Sequence, residues 1–133
     1  MENYNRVEED FLGTYYYLDD KFHRIDGPAL DYNSGYKGWR QNGVRHRVDG
    51  PAVVCHTGFK EWWQNGKLHR LDGPAVDYSD GYKAWYQNGE LNRIDGPAIE
   101  FADGNKYWYY EDQKIDCNSQ EEFERYIKLK LFW

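Results

Sequence analysis

Hydrophobic and polar positions recur along this chain with a period of about 23 residues. Tryptophan marks the period four times, and a lysine lies two residues before each of these tryptophans: Trp39, Trp62, Trp85 and Trp108, with Lys37, Lys60, Lys83 and Lys106. A hexapeptide Arg-X-Asp-Gly-Pro-Ala repeats in step with them, beginning at Arg24, Arg47, Arg70 and Arg93. A fixed period this short indicates small supersecondary units that bury their apolar faces only by stacking on their neighbours. The pattern therefore predicts an array and not an enzyme with one central pocket.

Asn-Gly pairs divide three of the repeats into two strands each. They occur at Asn42, Asn65 and Asn88 between aromatic-rich runs, and both central residues of a tight type I′ hairpin turn need a positive φ. A second glycine turn follows in each repeat, so that the predicted strands run near residues 14–18, 22–32, 36–41, 44–55 and 59–64 and onward to residue 110. Proline lies inside the longer strand of each pair and has no N–H for the sheet, so we expect a bend or bulge there.

The residues also resemble a known family. The run from Lys83 to Gly89, followed by Asp95 to Ala98 and by Asp103-Gly104, resembles MORN-type repeats, in particular the divergent kind of bacterial and phage proteins. The resemblance covers roughly residues 14–116. It implies a single-layer antiparallel β-sheet that binds proteins or lipids and has no catalytic role.

These observations predict one mainly β domain over residues 1–133, a single-layer antiparallel hairpin array of about four 23-residue repeats. Residues 1–20 form a partial first repeat or cap, residues 21–116 the repeats, and residues 118–133 a C-terminal helix. Ser119 to Glu122 read as a capping box before apolar residues at helical spacing. We expect this amphipathic helix to cover the last sheet edge. Its apolar end could form a subunit contact, which leaves monomer and homodimer open: Leu129, Leu131, Phe132 and Trp133.

Composition restricts the classes of partner. Aromatic residues make up 19% of the chain although the mean hydropathy is -1.04, a pairing that aromatic ladders on a one-layer sheet would explain. The formal net charge of -6 argues against direct nucleic-acid binding and against an anionic membrane. No apolar run approaches the roughly 20 residues of a membrane span, and a signal peptide is not evident. We expect a cytoplasmic protein, in the host cytoplasm if a phage encodes it, with Cys55 and Cys117 as free thiols.

No constellation in the sequence predicts catalysis, a metal or a cofactor. His23, His46 and His69 occupy equivalent positions, which in successive hairpins lie about 9.6 Å apart at about 4.8 Å per strand. A shared zinc needs each imidazole nitrogen at about 2.1 Å, so these side chains cannot share one ion. We expect each histidine to pack or hydrogen-bond within its own repeat.

The residues that repeat most strictly are predicted to be a structural ladder. Arginine would stack between successive tryptophans as a cation–π ladder, with the following aspartate balancing its charge. Its members are Trp39, Trp62, Trp85, Trp108, Arg24, Arg47, Arg70 and Arg93.

Positions that vary between copies are the better candidates for partner contacts, because the array does not need them to be identical. On the face opposite the tryptophans we predict a partner-binding stripe of Tyr36, Arg40, Phe59, Glu61, Trp63, Tyr82, Tyr86 and Tyr109. Aromatic residues and arginine are enriched in binding hot spots. The alternative is that this stripe is only the packing face of the sheet.

The sequence therefore favours a non-enzymatic protein-binding module. The resemblance makes a phage or bacterial accessory protein plausible, one that inhibits a host nucleoprotein or defence complex by occupying its surface. Two alternatives stay open: a β-repeat protein that binds a small molecule or lipid headgroup, and an acidic mimic of DNA.

Overall fold

A computed structural model describes residues 2–132 of the chain. Within them the chain is mainly β, with eighteen short strands and one C-terminal helix. In chain order the strands are β1 Arg6–Glu9, β2 Gly13–Leu18, β3 Lys21–Phe22, β4 Leu30–Tyr32, β5 Lys37–Gly38, β6 Arg40–Gln41, β7 Val44–Arg45, β8 Val53–Val54, β9 Lys60–Glu61, β10 Trp63–Gln64, β11 Lys67–Leu68, β12 Val76–Asp77, β13 Lys83–Ala84, β14 Tyr86–Gln87, β15 Glu90–Leu91, β16 Ile99–Glu100, β17 Lys106–Tyr110 and β18 Gln113–Ile115. The helix, α1, is Gln120–Leu131. Over residues 2–132, no helix is both long and apolar enough to cross a bilayer.

One twelve-stranded antiparallel sheet forms the body of the molecule. Its strand order is β1-β2-β4-β5-β8-β9-β12-β13-β16-β17-β18, with β3 paired to β2. Three two-stranded pairs, β6–β7, β10–β11 and β14–β15, are the tips of successive hairpins beside this sheet. The prediction of a one-layer hairpin array with a C-terminal capping helix is confirmed.

The predicted strand over residues 36–41 is interrupted at Trp39, a detail that the sequence reasoning missed. The N–H of Trp39 donates to the carbonyl of Ala52 at 2.7 Å, whereas its own carbonyl accepts from the N–H of His46 at 3.1 Å. The chain thus changes partner at this residue, from the next sheet strand to its own hairpin. Backbone hydrogen bonds also join the tips of neighbouring hairpins: the Gly66 N–H donates to the Arg45 carbonyl at 2.9 Å.

The expected break at Asp-Gly-Pro is present. The predicted strand over residues 44–55 is divided into β7 and β8, and a bend lies between them. Pairing resumes directly after Pro51, where the Ala52 N–H donates to the Glu61 carbonyl at 2.8 Å. Proline can occupy this bend because no N–H is required of it.

The Asn-Gly turns have the predicted left-handed backbone. At Asn65 and Gly66, φ is 51° and 77°, and both signs fit a type I′ turn. The two terminal turns adopt the same conformation without glycine: Asp19 and Asp20, with φ of 49° and 65°, and Glu111 and Asp112, with φ of 49° and 65°.

The sheet has two unlike faces, because successive side chains on a strand point to opposite sides. We call one side the aromatic face, defined by Tyr15, Tyr32, Tyr36, Phe59, Tyr78, Tyr82, Phe101 and Tyr107. The other side is the tryptophan face, which carries the four repeated tryptophans and lysines. Adjacent residues such as Phe59 and Lys60 therefore belong to different faces. Aliphatic residues are buried along the strands of the sheet: Ala29, Leu30, Ala52, Val53, Ala75, Val76, Ala84 and Ala98.

Helix α1 closes the C-terminal end of the array. Ser119 is its N-cap, and the Ser119 Oγ accepts from the Glu122 N–H at 3.2 Å. Phe123, which is fully buried, and Ile127 pack against Trp108 and Ile115. The predicted apolar contact residues Leu129, Leu131 and Phe132 are exposed, and Trp133 lies outside the described residues.

Candidate interaction surface

The aromatic face carries a row of rings that crosses the hairpins in two runs of contacting side chains. In the C-terminal half, the ring centroids of Phe59 and Tyr78 are 4.1 Å apart, those of Tyr78 and Tyr82 are 5.5 Å apart and those of Tyr82 and Phe101 are 5.2 Å apart. In the N-terminal half the rings of Tyr15, Tyr32 and Tyr36 follow at 5.5 Å steps. Cys55 occupies the repeat position that Tyr32 and Tyr78 hold, so the row is interrupted there.

The rings of the aromatic face pack on aliphatic side chains of the sheet. Leu30, Val53 and Val76 are almost completely buried, whereas most of the rings above them are half-buried. At Gly38 an added Cβ would lie 3.4 Å from both Leu30 Cδ1 and Tyr36 Cε1. These are ordinary van der Waals distances, so the backbone at Gly38 packs against Leu30 and Tyr36.

Glu61 links two of the aromatic side chains. Its carboxylate accepts from Trp63 Nε1 at 2.8 Å and from the Tyr78 hydroxyl at 3.0 Å. Burial raises the pKa of Tyr78, and the hydrogen bond to Glu61 adds to this rise. Glu61, a predicted partner-binding residue, thus fixes the orientation of the Trp63 and Tyr78 rings.

Four predicted partner-binding residues border one shallow depression. The depression has a volume of about 380 Å³, and its lining includes Tyr36, Phe59, Glu61 and Trp63. Arg45 lines it as well, with its Cζ 4.9 Å from the Trp63 ring centroid. Arg45 was not among the predicted residues, although one signal could have identified it: the later repeats have Leu68 and Leu91 at this position.

The remaining predicted residues lie on either side of this depression. Arg40 is the cross-strand partner of Arg45, and its Cζ lies 5.8 Å from the Phe22 ring centroid. Tyr82, Tyr86 and Tyr109 form a second group in the C-terminal half. Burial raises the pKa of Tyr82 and of Tyr86, and the neighbouring Tyr109 hydroxyl contributes to both shifts.

The tryptophan face carries the arginine stack. Each arginine lies over the tryptophan eight residues before it, with Cζ to ring-centroid distances of 3.9 Å for Arg47 on Trp39, 3.8 Å for Arg70 on Trp62 and 3.7 Å for Arg93 on Trp85. In the first unit, Arg24 lies 4.0 Å over Tyr16. Trp108 has a different partner, because its Nε1 donates to Gln120 Oε1 of helix α1 at 2.7 Å.

The Asp-Gly-Pro motif is explained by this arginine. In the second copy, Arg47 Nε donates to Asp49 at 3.0 Å and its Nη1 donates to the Pro51 carbonyl at 3.0 Å. An added Cβ at Gly50 would lie only 2.8 Å from Arg47 Cζ, so glycine leaves room for the guanidinium. The hydrogen bond from Arg47 is also the main cause that lowers the pKa of Asp49. The motif therefore holds the arginine flat against the tryptophan.

The histidines connect neighbouring hairpins. His23 Nδ1 accepts from the Asn42 N–H at 2.9 Å, and His46 and His69 make the equivalent bonds to Asn65 and Asn88, both at 3.0 Å. Each acts on the turn of the following hairpin, whereas the sequence reasoning placed these interactions inside one repeat. Over residues 2–132, no three His, Cys, Asp or Glu side chains are grouped so that they could hold a metal ion.

Comparisons of this chain with protein-family models, with curated proteins and with solved structures find no match. The resemblance to MORN-type repeats therefore rests on the sequence pattern alone.

Proposed function

We propose that this chain is a protein-binding repeat module without enzymatic activity and that the aromatic face is its binding surface. One observation carries the proposal: rings from several hairpins form a row on one side of a single-layer sheet, and no other element of residues 2–132 packs over them. Phe101 is exposed and the other seven rings are half-buried, so the row offers aromatic surface to a partner from one side.

The chemistry of this face suits a protein partner. Tyrosine, tryptophan and arginine dominate binding hot spots, because they combine large contact area with a polar group. Rings that are already fixed lose little conformational freedom on binding. Trp63 and Tyr78, both hydrogen-bonded to Glu61, are fixed in this way before a partner arrives.

The shape of the face favours an extended partner over a small ligand. The depression beside Arg45 has a volume of about 380 Å³, and a second one of about 620 Å³ is lined by Tyr15, Phe22 and Tyr32 among others, so each covers only part of the face. The row of rings continues well beyond them to Phe101 and Tyr107. A protein surface could contact the whole row, whereas a small molecule or a lipid headgroup could contact only one part.

Mimicry of DNA is less well supported. Such a mimic needs rows of unneutralised carboxylates. The four repeated aspartates are each within 3.0 Å of an arginine Nε: Asp26, Asp49, Asp72 and Asp95. Their charges are therefore largely balanced within the fold. The narrower predictions, a host defence complex as partner and a cytoplasmic location, stay predictions.

Site-specific photocrosslinking tests the proposal. Benzoylphenylalanine is placed at Phe59 or at Tyr82 on the aromatic face, and at the adjacent Lys60 or Lys83 on the tryptophan face, in the cell that naturally contains the chain. We expect the same identified protein to be captured from both aromatic-face positions and from neither lysine position. Equal capture from the two faces, or capture from the lysine positions alone, would contradict the proposal.

A further inference from the structure

Two arginines face each other on the first full hairpin. Arg40 of β6 is the cross-strand partner of Arg45 of β7. The next pair along the hairpin, Trp39 and His46, is hydrogen-bonded, so Arg40 and Arg45 form a non-hydrogen-bonded pair. In such pairs the Cα atoms are about 4.5 Å apart and the side chains are closest. Like charges placed directly opposite one another destabilise a sheet.

The other hairpins show what the fold prefers at these two positions. The equivalent pairs are Trp63 with Leu68, Tyr86 with Leu91 and Tyr109 with Lys114, and the first partial unit pairs Tyr17 with Phe22. Each of these pairs contains an aromatic residue and none places two charges opposite one another, which is the rule of the array. The arginine pair departs from it at an unfavourable electrostatic cost, and departures of this kind concentrate at functional sites.

Neither of these arginines makes an ion pair within residues 2–132. By contrast, each of the ladder arginines has an aspartate within 3.0 Å: Arg24, Arg47, Arg70 and Arg93. Arg40 makes one side-chain hydrogen bond, from Nη1 to the Gly43 carbonyl at 3.2 Å. The Nε of Arg45 is buried and has no hydrogen-bond partner in that part of the chain. A buried donor left unsatisfied is costly. Because this Nε is closed to solvent, a partner would bind Arg45 through its Nη groups.

The surroundings of the pair limit what can bind there. Phe22 flanks Arg40 and Trp63 flanks Arg45, which leaves the guanidinium groups between two rings. A second depression, lined by Glu8, Glu9 and Asp10 among others, adjoins Phe22. These acids, together with Glu61 in the depression beside Arg45, would repel a polyanion such as nucleic acid, so we expect a partner to present a single carboxylate to the arginines.

We propose that Arg40 and Arg45 form an anion site that receives one aspartate or glutamate side chain of the partner protein, next to an apolar residue that enters the depression beside Trp63. Arginine guanidinium groups bind carboxylates through paired, charge-assisted hydrogen bonds. The inference rests on the proposed function, since it specifies what the partner presents to the aromatic face. The rest of that face is mainly aromatic, and its Glu61 carboxylate is already bonded to Trp63 and Tyr78, so the arginine site would set the register of the complex.

A matched pair of peptides tests the site without knowledge of the partner. The probes are acetyl-Phe-Glu-Leu-amide and acetyl-Phe-Gln-Leu-amide, titrated to millimolar concentration while the arginine Nε–Hε signals are followed by NMR. We expect the Arg40 and Arg45 signals to shift with the glutamate peptide, which binds about tenfold more tightly than the glutamine peptide. The Arg70 signal, whose Nε is already bonded to Asp72, serves as the internal control.

The next hairpin of the array shows which residues can replace the two arginines in a control variant. The double variant Arg40→Trp, Arg45→Leu introduces at these positions the pair that the next hairpin has as Trp63 and Leu68. We expect this double variant to melt at a higher temperature than the natural chain and to lose the preference for glutamate. Because it is expected to fold better, loss of binding could not be assigned to unfolding.

Other results would overturn the inference. Equal binding of both peptides, with both weakened by Phe59→Ala, would exclude the anion site and leave the aromatic face as a binding surface. A glutamate preference that survives in the double variant would place the acid elsewhere. Arginine signals that do not shift with either peptide would also exclude the site, whereas the photocrosslinking experiment decides the proposed function independently.

Discussion

His69 Nδ1 accepts a 3.0 Å hydrogen bond from the backbone N–H of Asn88, the first turn residue of the following hairpin. The fourth repeat has asparagine at the histidine position, and Asn92 Oδ1 accepts from the Glu111 N–H at 3.2 Å in the same way. A side-chain acceptor thus ties each hairpin tip to the next along the array.

The occurrence of Asn92 predicts which substitution of His69 is tolerated. His69→Ala removes the acceptor, so we expect it to lower the free energy of unfolding by about 1 kcal/mol. His69→Asn keeps an acceptor and should cost much less. Urea unfolding of both variants measures the difference, and equal losses would show that the hydrogen bond contributes nothing.

A second prediction concerns the arginine stack. Arg70 lies 3.8 Å over Trp62 and donates to the Pro74 carbonyl at 3.1 Å. Because Arg70→Ala removes both contacts, we expect a loss of about 2 kcal/mol of unfolding free energy.

Asp72 provides the matched control for that experiment. Its side chain is 87% exposed, and exposed ion pairs contribute little, so Asp72→Ala should cost less than about 1 kcal/mol. Thermal or urea unfolding compares the two variants. A larger loss for Asp72→Ala than for Arg70→Ala would show that the ion pair, and not the stacking, holds the ladder.

The last hairpin turn offers a stabilising substitution. Glu111 has a φ of 49°, a left-handed conformation that asparagine adopts more readily and that Asn88 holds in the preceding repeat. We expect Glu111→Asn to raise the free energy of unfolding by about 0.5–1 kcal/mol. The control is Glu90→Asn, at an exposed strand position without a positive φ, and it should not raise the free energy of unfolding.

Low pH should remove the contribution that the Asp49 carboxylate makes to the stability of the fold. The hydrogen bond from Arg47 lowers the pKa of this carboxylate, so the folded chain binds its proton less readily than the unfolded chain. The resulting stabilisation is present above the ordinary aspartate pKa of about 3.9 and is lost as the pH falls through the lower folded value. The melting-temperature difference between the natural chain and Asp49→Asn should therefore shrink between pH 6 and pH 3. A difference that grows towards low pH would contradict this sign.

The regular part of the fold could be predicted from the sequence because local chemistry determines it. Asn65-Gly66 specifies a left-handed turn, Pro51 excludes a regular sheet N–H, and Ser119 with Glu122 specifies a helix start. Each of these signals acts within a few residues, and the structure has the expected turn, bend and helix at those positions.

Features that depend on contacts between repeats were not predictable in this way. The strand interruption at Trp39 arises because its N–H and carbonyl pair with different strands. The histidine bonds cross to the next hairpin, 19 residues along the chain. Arg45 is a different case, because the Asn42-Gly43 turn already places it opposite Arg40 and the change to Leu68 and Leu91 marks its position as variable; both signals were overlooked.

The affinity of the crosslinked partner for two single variants tests the central claim most directly. Phe59 and Lys60 are neighbours in sequence but lie on opposite faces, and Phe59 stacks on Tyr78 with ring centroids 4.1 Å apart. By calorimetric titration, and with folding of both variants verified, we expect Phe59→Ala to weaken binding by about 2 kcal/mol or more and Lys60→Ala to change it by less than about 0.5 kcal/mol. Unchanged binding of Phe59→Ala together with a large loss for Lys60→Ala would show that the partner binds the tryptophan face.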